Sequence, residues 1–141
     1  MRLGLGTIYL AHSWEKLSGG RAGFETMLAG VGVPLPEVVA WFTMVAEGVG
    51  GTLLITGLLT RLTCLGLLGL AIGAVATLKI DFGLIAGPEA PLPGAGLELA
   101  IAVGLAGLLL AGPGRIALDH VLGIERVAAP ADLSQPVSGR A

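Results

Sequence analysis

The chain has 141 residues, of which 54% are hydrophobic and 13% charged, and its 24 glycines bring the apolar share to roughly seven residues in ten. So few charged side chains cannot cover the surface of a water-soluble domain, which carries about twice that share. The net charge of −2, without a basic block, argues against a nucleic-acid partner. Because Cys64 is the single cysteine, an intrachain disulfide and a Cys-x-x-Cys redox pair are also excluded. The composition therefore favours helices in a lipid bilayer.

Four apolar stretches predict four helices: Arg2 to Leu17, Val38 to Leu59, Leu62 to about Ile80, and Leu97 to Ala111. The second and third reach the roughly 20 residues that a helix needs to cross the hydrocarbon core. The first and fourth would span only about 24 Å, so they need local thinning of the bilayer or cover from neighbouring helices. We predict an all-α fold, a four-transmembrane-helix antiparallel bundle with short helices over residues 1–127, and a polar carboxy-terminal tail over 128–141.

The connectors between these helices differ in character. Ser18 to Pro36 is rich in glycine, with a short interfacial helix predicted near Phe24 to Leu28. Leu59 to Arg61 is so short that the second and third helices must be antiparallel neighbours. Prolines predict an extended segment within Asp81 to Gly96, and a short interfacial turn is expected from Ile116 to Val121. With five basic residues on the side of the termini and three on the other, both termini are predicted to be cytoplasmic.

Glu47 is the most informative residue, because about ten positions of the second helix precede it and about twelve follow it. An ionised carboxylate near the bilayer midplane is costly, so Glu47 must be protonated or paired with a donor from another helix. Gly48, Gly50 and Gly51 would allow a neighbouring helix or a flat ligand to approach. A carboxyl group that only joins two helices is an equally good interpretation.

His12 is predicted at a depth similar to that of Glu47, because it lies ten residues, or about 15 Å, above Arg2. An imidazole beside a buried acid could relay protons or bind a quinone carbonyl. A histidine that only bridges helices is the simpler interpretation of His12 taken alone. Lys16 lies four residues later and shares the face of His12.

The remaining polar and small residues have structural explanations. Glu98 opens the fourth helix, where a carboxylate complements the helix dipole, and Lys79 and Asp81 could pair locally. Gly69 and Gly73 form a Gly-x-x-x-Gly step that is consistent with close helix packing. The sequence has no metal-ligand spacing, no phosphate-binding loop and no serine nucleophile motif. We therefore predict no metal and no nucleotide.

Three stretches together resemble the DoxX-type integral membrane proteins, which are four-helix chains of about this length. These stretches are His12 to Leu17, Glu47 to Gly51 running on through Gly57 to Arg61, and Gly112 to Arg115 followed by Asp119. Glu98 is a looser match. The resemblance covers about Arg2 to Asp119 and leaves out the tail, and Ser13 stands where a glycine is common.

The resemblance implies a multi-pass protein of a prokaryotic plasma (inner) membrane. It indicates the fold and the location of the protein more than the reaction in which it takes part. Some relatives are membrane subunits of thiosulfate:quinone oxidoreductase, and others are associated with oxidative-stress complexes, so function is carried over by analogy. Quinone is the implied cofactor, and other membrane or peripheral subunits are the implied partners. By the same resemblance, a polar site between the helices would be lined by His12, Lys16, Glu47, Arg61 and Glu98.

Two functions follow as hypotheses. In the first, the chain is a redox subunit: a quinone docks near Glu47 and His12, Glu47 gives or takes the proton that accompanies each electron, and a partner supplies the electrons. In the second, it is a redox-inert structural or assembly subunit whose intramembrane polar groups only join helices.

Overall fold

A computed structural model of the chain describes residues 1–80, 83–87, 94–114 and 117–123. Of these residues 79% are helical and none lies in a strand, so the predicted all-α fold is confirmed. The prolines of the third connector and the tail at 128–141 lie outside the described residues. The helices are α1 (Arg2–Ser18), α2 (Arg21–Gly30), α3 (Pro36–Thr56), α4 (Thr60–Ala74, continued by a π-helical turn, Val75–Lys79), α5 (Gly96–Ala111) and α6 (Leu118–Val121).

Two of the described helices are long and apolar enough to cross a membrane. They are α3, with 21 residues, and α4 with its π-helical turn, Thr60–Lys79, with 20 residues. α3 begins with Pro36, whose fixed φ suits the first helical position. It ends at Gly57, where φ is +71° and where a Cβ atom would also collide with the side chain of Arg2. The second and third predicted helices are confirmed, each beginning two residues earlier than expected. The second ends at Thr56 and not at the predicted Leu59, because Gly57 leaves the helical conformation.

α1 packs against α3 more extensively than against any other helix, and the two run antiparallel. Their backbones meet at two glycines: a Cβ atom on Gly51 would lie 2.9 Å from the carbonyl oxygen of Gly6. Small residues permit this close approach, which replaces hydrophobic burial as a source of packing energy in lipid. The close packing expected at Gly69 and Gly73 is not found, because no described atom lies within 4 Å of a Cβ built at either position.

One apolar core receives side chains from α1, α3, α4 and α5. Its buried members are Leu5, Tyr9, Leu54, Cys64, Leu67, Ile101, Leu105 and Leu108. The outward faces carry other large apolar side chains, including Val45 (52% exposed), Leu62 (64%) and Ile72 (56%). Because only 33% of the apolar window of α3 and 22% of that of α4 are buried, these helices differ from the mostly buried core helices of a soluble protein. Their outward surface suits lipid.

The short helix α6 is tied to the turn between α3 and α4 by Asp119, which is fully buried. Its carboxylate accepts hydrogen bonds from the backbone amides of Leu59 (2.6 Å) and Thr60 (2.7 Å). Its own amide donates to the carbonyl oxygen of Gly57 at 2.9 Å. The first amides of a helix have no partner within that helix, so Asp119 caps α4 from a distant part of the chain. We call this group the Asp119 clasp.

Electrostatics at the clasp favour the ionised acid. Burial alone would raise the pKa of the Asp119 carboxyl, but the hydrogen bonds from the backbone of Thr60 and Leu59 and the charge of Arg2 outweigh it and lower the pKa below its usual value of 3.8. The guanidinium of Arg2 also donates a hydrogen bond to the carbonyl oxygen of Pro113 at 2.9 Å. The start of α1 is thereby held at the same end of the protein.

Candidate functional site

A buried ion pair joins α1 to α3. The Nζ atom of Lys16 lies 2.6 Å from both carboxylate oxygens of Glu47. The Glu47 side chain is 8% exposed and that of Lys16 is 20% exposed. Glu47 lies nine residues before Thr56, about 14 Å from that end of α3. Of the two alternatives for Glu47, protonated or paired with another helix, the structure has the pair.

Neighbouring residues position this pair. One turn before Lys16, the hydroxyl of Ser13 donates a hydrogen bond to the carbonyl oxygen of Met44 at 3.0 Å. A Cβ atom on Gly48 would lie 2.9 Å from that hydroxyl oxygen, so the glycine next to Glu47 makes room for Ser13. The backbone of α3 is therefore fixed against α1 at the level of the ion pair.

The ring of Phe24, on α2, lies above the ammonium group of Lys16, 5.0 Å from Nζ to the ring centroid. An aromatic face attracts a cation electrostatically. Lys16 thus contacts an anion on one side and an aromatic ring on another, each contributed by a different helix.

His12 does not take part in this ion pair. Its Nδ1 atom bonds to the carbonyl oxygen of Ile8, one turn earlier in the same helix, at 2.9 Å. Among the described residues, the side-chain hydrogen bonds to the Glu47 carboxylate come from Lys16 and not from His12. The bond to Ile8 places the ring proton on Nδ1.

A second ion pair joins the π-helical turn after α4 to the first turn of α5. Lys79 contacts Glu98, and their side chains are 12% and 19% exposed. The second oxygen of Glu98, Oε2, is buried without a hydrogen-bond partner in the described part of the chain. The proposed local partner of Lys79, Asp81, lies outside the described residues. Glu98 therefore belongs to a second ion pair, distinct from Lys16–Glu47.

Arg61 lies in neither of these two ion pairs. It occupies the first turn of α4, and a Cβ atom on Gly112 would lie 3.6 Å from its Nη2 atom. That turn follows the end of α3, about 14 Å along the helix from Glu47. The resemblance implied one polar site for His12, Lys16, Glu47, Arg61 and Glu98, and among the described residues two separate ion pairs join Lys16 to Glu47 and Lys79 to Glu98.

Tyr9 is a polar residue that sequence reasoning missed. It is 5% exposed, and its hydroxyl donates a hydrogen bond to the carbonyl oxygen of Leu67 at 3.3 Å, which links α1 to α4. The hydroxyl lies within electrostatic range of both Glu47 and Glu98. Tyr9 is the single tyrosine of the chain and stands in an apolar segment, a signal that could have identified it.

The chemistry of these groups limits what the site can hold. Among the described residues, no three His, Cys, Asp or Glu side chains are grouped to hold a metal ion. An ammonium group has three N–H donors, and Lys16 directs two of them at Glu47. The third suits an uncharged acceptor such as a carbonyl oxygen.

A comparison with protein families matches residues 1–80 to the family model described as DoxX. The match covers α1 to α4 with the π-helical turn, and so both members of the Lys16–Glu47 pair, but it ends before Glu98 and Asp119. No curated protein and no solved structure matches the chain. Family membership and the apolar helices indicate a membrane protein. Because the match spans more than half of its length, the chain belongs to the DoxX family.

Proposed function

We propose that this chain is a membrane subunit of a quinone-linked redox complex and that the Lys16–Glu47 pair binds the quinone headgroup. The observation that carries the proposal is a carboxylate deep in an apolar helix, bound through both oxygens at 2.6 Å by a lysine that keeps part of its surface exposed. Intramembrane ionisable residues are costly and usually serve a function. Membership of the DoxX family gives the redox setting as an analogy.

The geometry suggests separate roles for the two residues. A bound quinone would supply two-electron, two-proton chemistry, with electrons from a partner subunit that carries its own redox group. The third N–H of Lys16 would hydrogen-bond a headgroup carbonyl oxygen and orient the ring. Glu47 would hold Lys16 in position and exchange a proton with it, so that charge at the headgroup is balanced inside a medium of low dielectric constant.

We further propose that α1, α3, α4 and α5 cross the plasma membrane of a prokaryote as a four-helix antiparallel bundle, with both termini in the cytoplasm. The shared core of these four helices and their exposed apolar faces support this arrangement. α1 and α5, with 17 and 16 residues, would need a locally thinned bilayer. The excess of basic residues on the side of the termini supports the orientation.

The test replaces the pair by apolar residues of similar size, Lys16→Met with Glu47→Leu, alongside Glu47→Gln. The complex is purified with its lipids, and bound quinone and quinone reduction are measured. Lys79→Met with Glu98→Leu is the matched control, because it removes another interhelical ion pair of similarly low exposure. We expect loss of bound quinone and turnover only when the Lys16–Glu47 pair is changed. Unaltered quinone content and turnover in the Lys16 and Glu47 variants would refute the proposal.

A structural or assembly subunit is the second candidate. The observation that favours it is the completeness of the pair, since both Glu47 oxygens are bound within the chain and His12 bonds to its own helix. In that case the apolar replacement would leave the assembled complex and its activity unchanged. Deleting residues 128–141 tests whether the tail binds a partner, and a complex that stays assembled without them would argue against that role of the tail.

A further inference from the structure

The short helix α2 lies against the Lys16 side of the Lys16–Glu47 pair and buries little apolar surface. Leu28 is the one buried residue of its ten, at 1% exposed. The ring of Phe24 lies over the ammonium group of Lys16, 5.0 Å from its centroid. A segment with so little buried apolar surface opens at a lower free energy than the closely packed helices around it.

Arg21 fastens the start of α2 to the first turns of α3. Its guanidinium lies 5.3 Å from the ring centroid of Trp41, and its Nη1 atom lies 3.4 Å from Oε1 of Glu37. Both contacts are at the surface, where a cation–π contact and an ion pair each contribute about 1 kcal/mol or less. This fastening is therefore reversible at a small cost.

Both connections of α2 bend at a glycine in the left-handed region. Gly20, before the helix, has φ of +92°, and Gly32, after it, has φ of +78°. No atom lies within 4 Å of a Cβ built at either position, so the backbone angle, and not crowding, requires glycine there. Hinges are a few residues at the ends of an element that absorb a change of backbone angle, and α2 has one such residue on each side.

We propose that α2 is a hinged lid on the Lys16–Glu47 pair, which swings on Gly20 and Gly32 and admits a ligand headgroup from the membrane–water interface. Lys16 lies two residues before the end of α1, about 3 Å along the helix axis, so the path from that interface is short. The identity of the ligand as a quinone rests on the proposed function, but the lid itself does not.

The chain offers a direct test because it contains two lysines. Both lie in ion pairs, with side chains 20% (Lys16) and 12% (Lys79) exposed, so Lys79 serves as an internal reference. The full-length protein in lipid nanodiscs is treated with a water-soluble amine-acylating reagent, and the labelling rate of each lysine is measured by mass spectrometry. The ratio of the Lys16 rate to the Lys79 rate reports opening of α2.

Gly32→Ala should raise this ratio on the order of 5- to 30-fold, because alanine disfavours a left-handed φ by about one to two kcal/mol and the closed lid requires that φ. Gly30→Ala is the matched control. It lies two residues away, has no left-handed φ and has open space around its Cβ, so it should leave the ratio unchanged. Phe24→Ala removes the ring without changing a hinge and should also raise the ratio.

An unchanged ratio in Gly32→Ala, or an equal rise at both lysines, would overturn the lid. The lid is equally contradicted if Gly30→Ala raises the ratio as much as Gly32→Ala, or if Phe24→Ala leaves it unaltered. Adding decylubiquinone to the reaction separates the two proposals. Protection of Lys16 by this quinone supports both of them, whereas hinge-dependent labelling without protection supports the lid and contradicts quinone binding.

Discussion

Removing one partner of the Lys16–Glu47 pair should cost very different amounts of stability, depending on which partner is lost. Lys16→Met leaves a carboxylate without its donors, in a side chain that is 8% exposed and about 14 Å from the nearer end of α3. Such a side chain has little contact with solvent in the closed structure. We expect a loss of about 3–5 kcal/mol in the free energy of unfolding, the range found for an uncompensated buried charge.

Glu47→Gln should cost less, about 1–2 kcal/mol, for two reasons. The amide oxygen of glutamine still accepts a hydrogen bond from Lys16, so only one charge-assisted hydrogen bond is lost. The Lys16 side chain is already 20% exposed near the end of α1, and a lysine stem can extend to place its charge in water. The double variant Lys16→Met with Glu47→Leu contains no buried charge and should lie within about 1 kcal/mol of the unmodified protein.

The assay is reversible unfolding in mixed micelles, followed by helical circular dichroism and by the fluorescence of the two tryptophans. A double-mutant cycle built from these variants measures the coupling between the two side chains. The uncompensated-charge explanation fails if Lys16→Met is no more destabilising than Glu47→Gln, or if the double variant is as unstable as Lys16→Met alone.

Three further outcomes are expected from the same unfolding measurement. Asp119→Asn should lower the free energy of unfolding by about 1–2 kcal/mol at pH 7, since the charge is lost and one of the backbone amides of Leu59 and Thr60 then faces an NH2 group instead of an acceptor. Because folding lowers the pKa of Asp119, its charge contributes fully to stability above the ordinary value of 3.8, and this contribution is lost as the pH falls through the lower pKa of the folded state. The stabilities of the unmodified protein and of Asp119→Asn should therefore converge at low pH. A stability difference that stays constant over this pH range would contradict the explanation. Gly51→Ala should lower the free energy of unfolding by about 1–3 kcal/mol, because the added Cβ would collide with the backbone of α1. Gly69→Ala is the control: its Cβ meets no described atom within 4 Å, so it should be neutral or slightly stabilising. Equal effects of the two substitutions would show that the glycine contact is unimportant. Tyr9→Phe should cost under about 1.5 kcal/mol, since a single long hydrogen bond is lost, and a larger loss would indicate a wider network.

The helices were largely predictable because each signal is local in sequence. The long apolar runs that became α3 and α4 are interrupted at Gly57, and the glycine-rich connector contained the predicted helix near Phe24 to Leu28, observed as α2. The packing of those helices was not predictable in the same way. The Gly69 and Gly73 step suggested a close helix contact, but the close contact is at Gly6 and Gly51. These two glycines face each other only in the particular register between α1 and α3, which the sequence of neither helix reveals.

The candidate site was predicted as far as single residues allowed. The depth of Glu47 followed from its position in an apolar run, and so did the need for a donor from another helix. Hydropathy does not distinguish His12 from Lys16, which lie four residues apart on one face of α1. The choice depends on reach: the imidazole bonds to its own helix at Ile8, and the longer lysine side chain reaches the carboxylate on α3.

The Asp119 clasp has a consequence for how the protein is made. The amides that Asp119 caps precede it by about sixty positions, so at 5–20 residues per second the ribosome needs roughly 3–12 s to deliver the acid after the turn has emerged. Until then the start of α4 lacks the cap that Asp119 supplies in the folded protein. The clasp can therefore form only after α6 has been made, and we expect a chain that stops short of that helix to lack this cap.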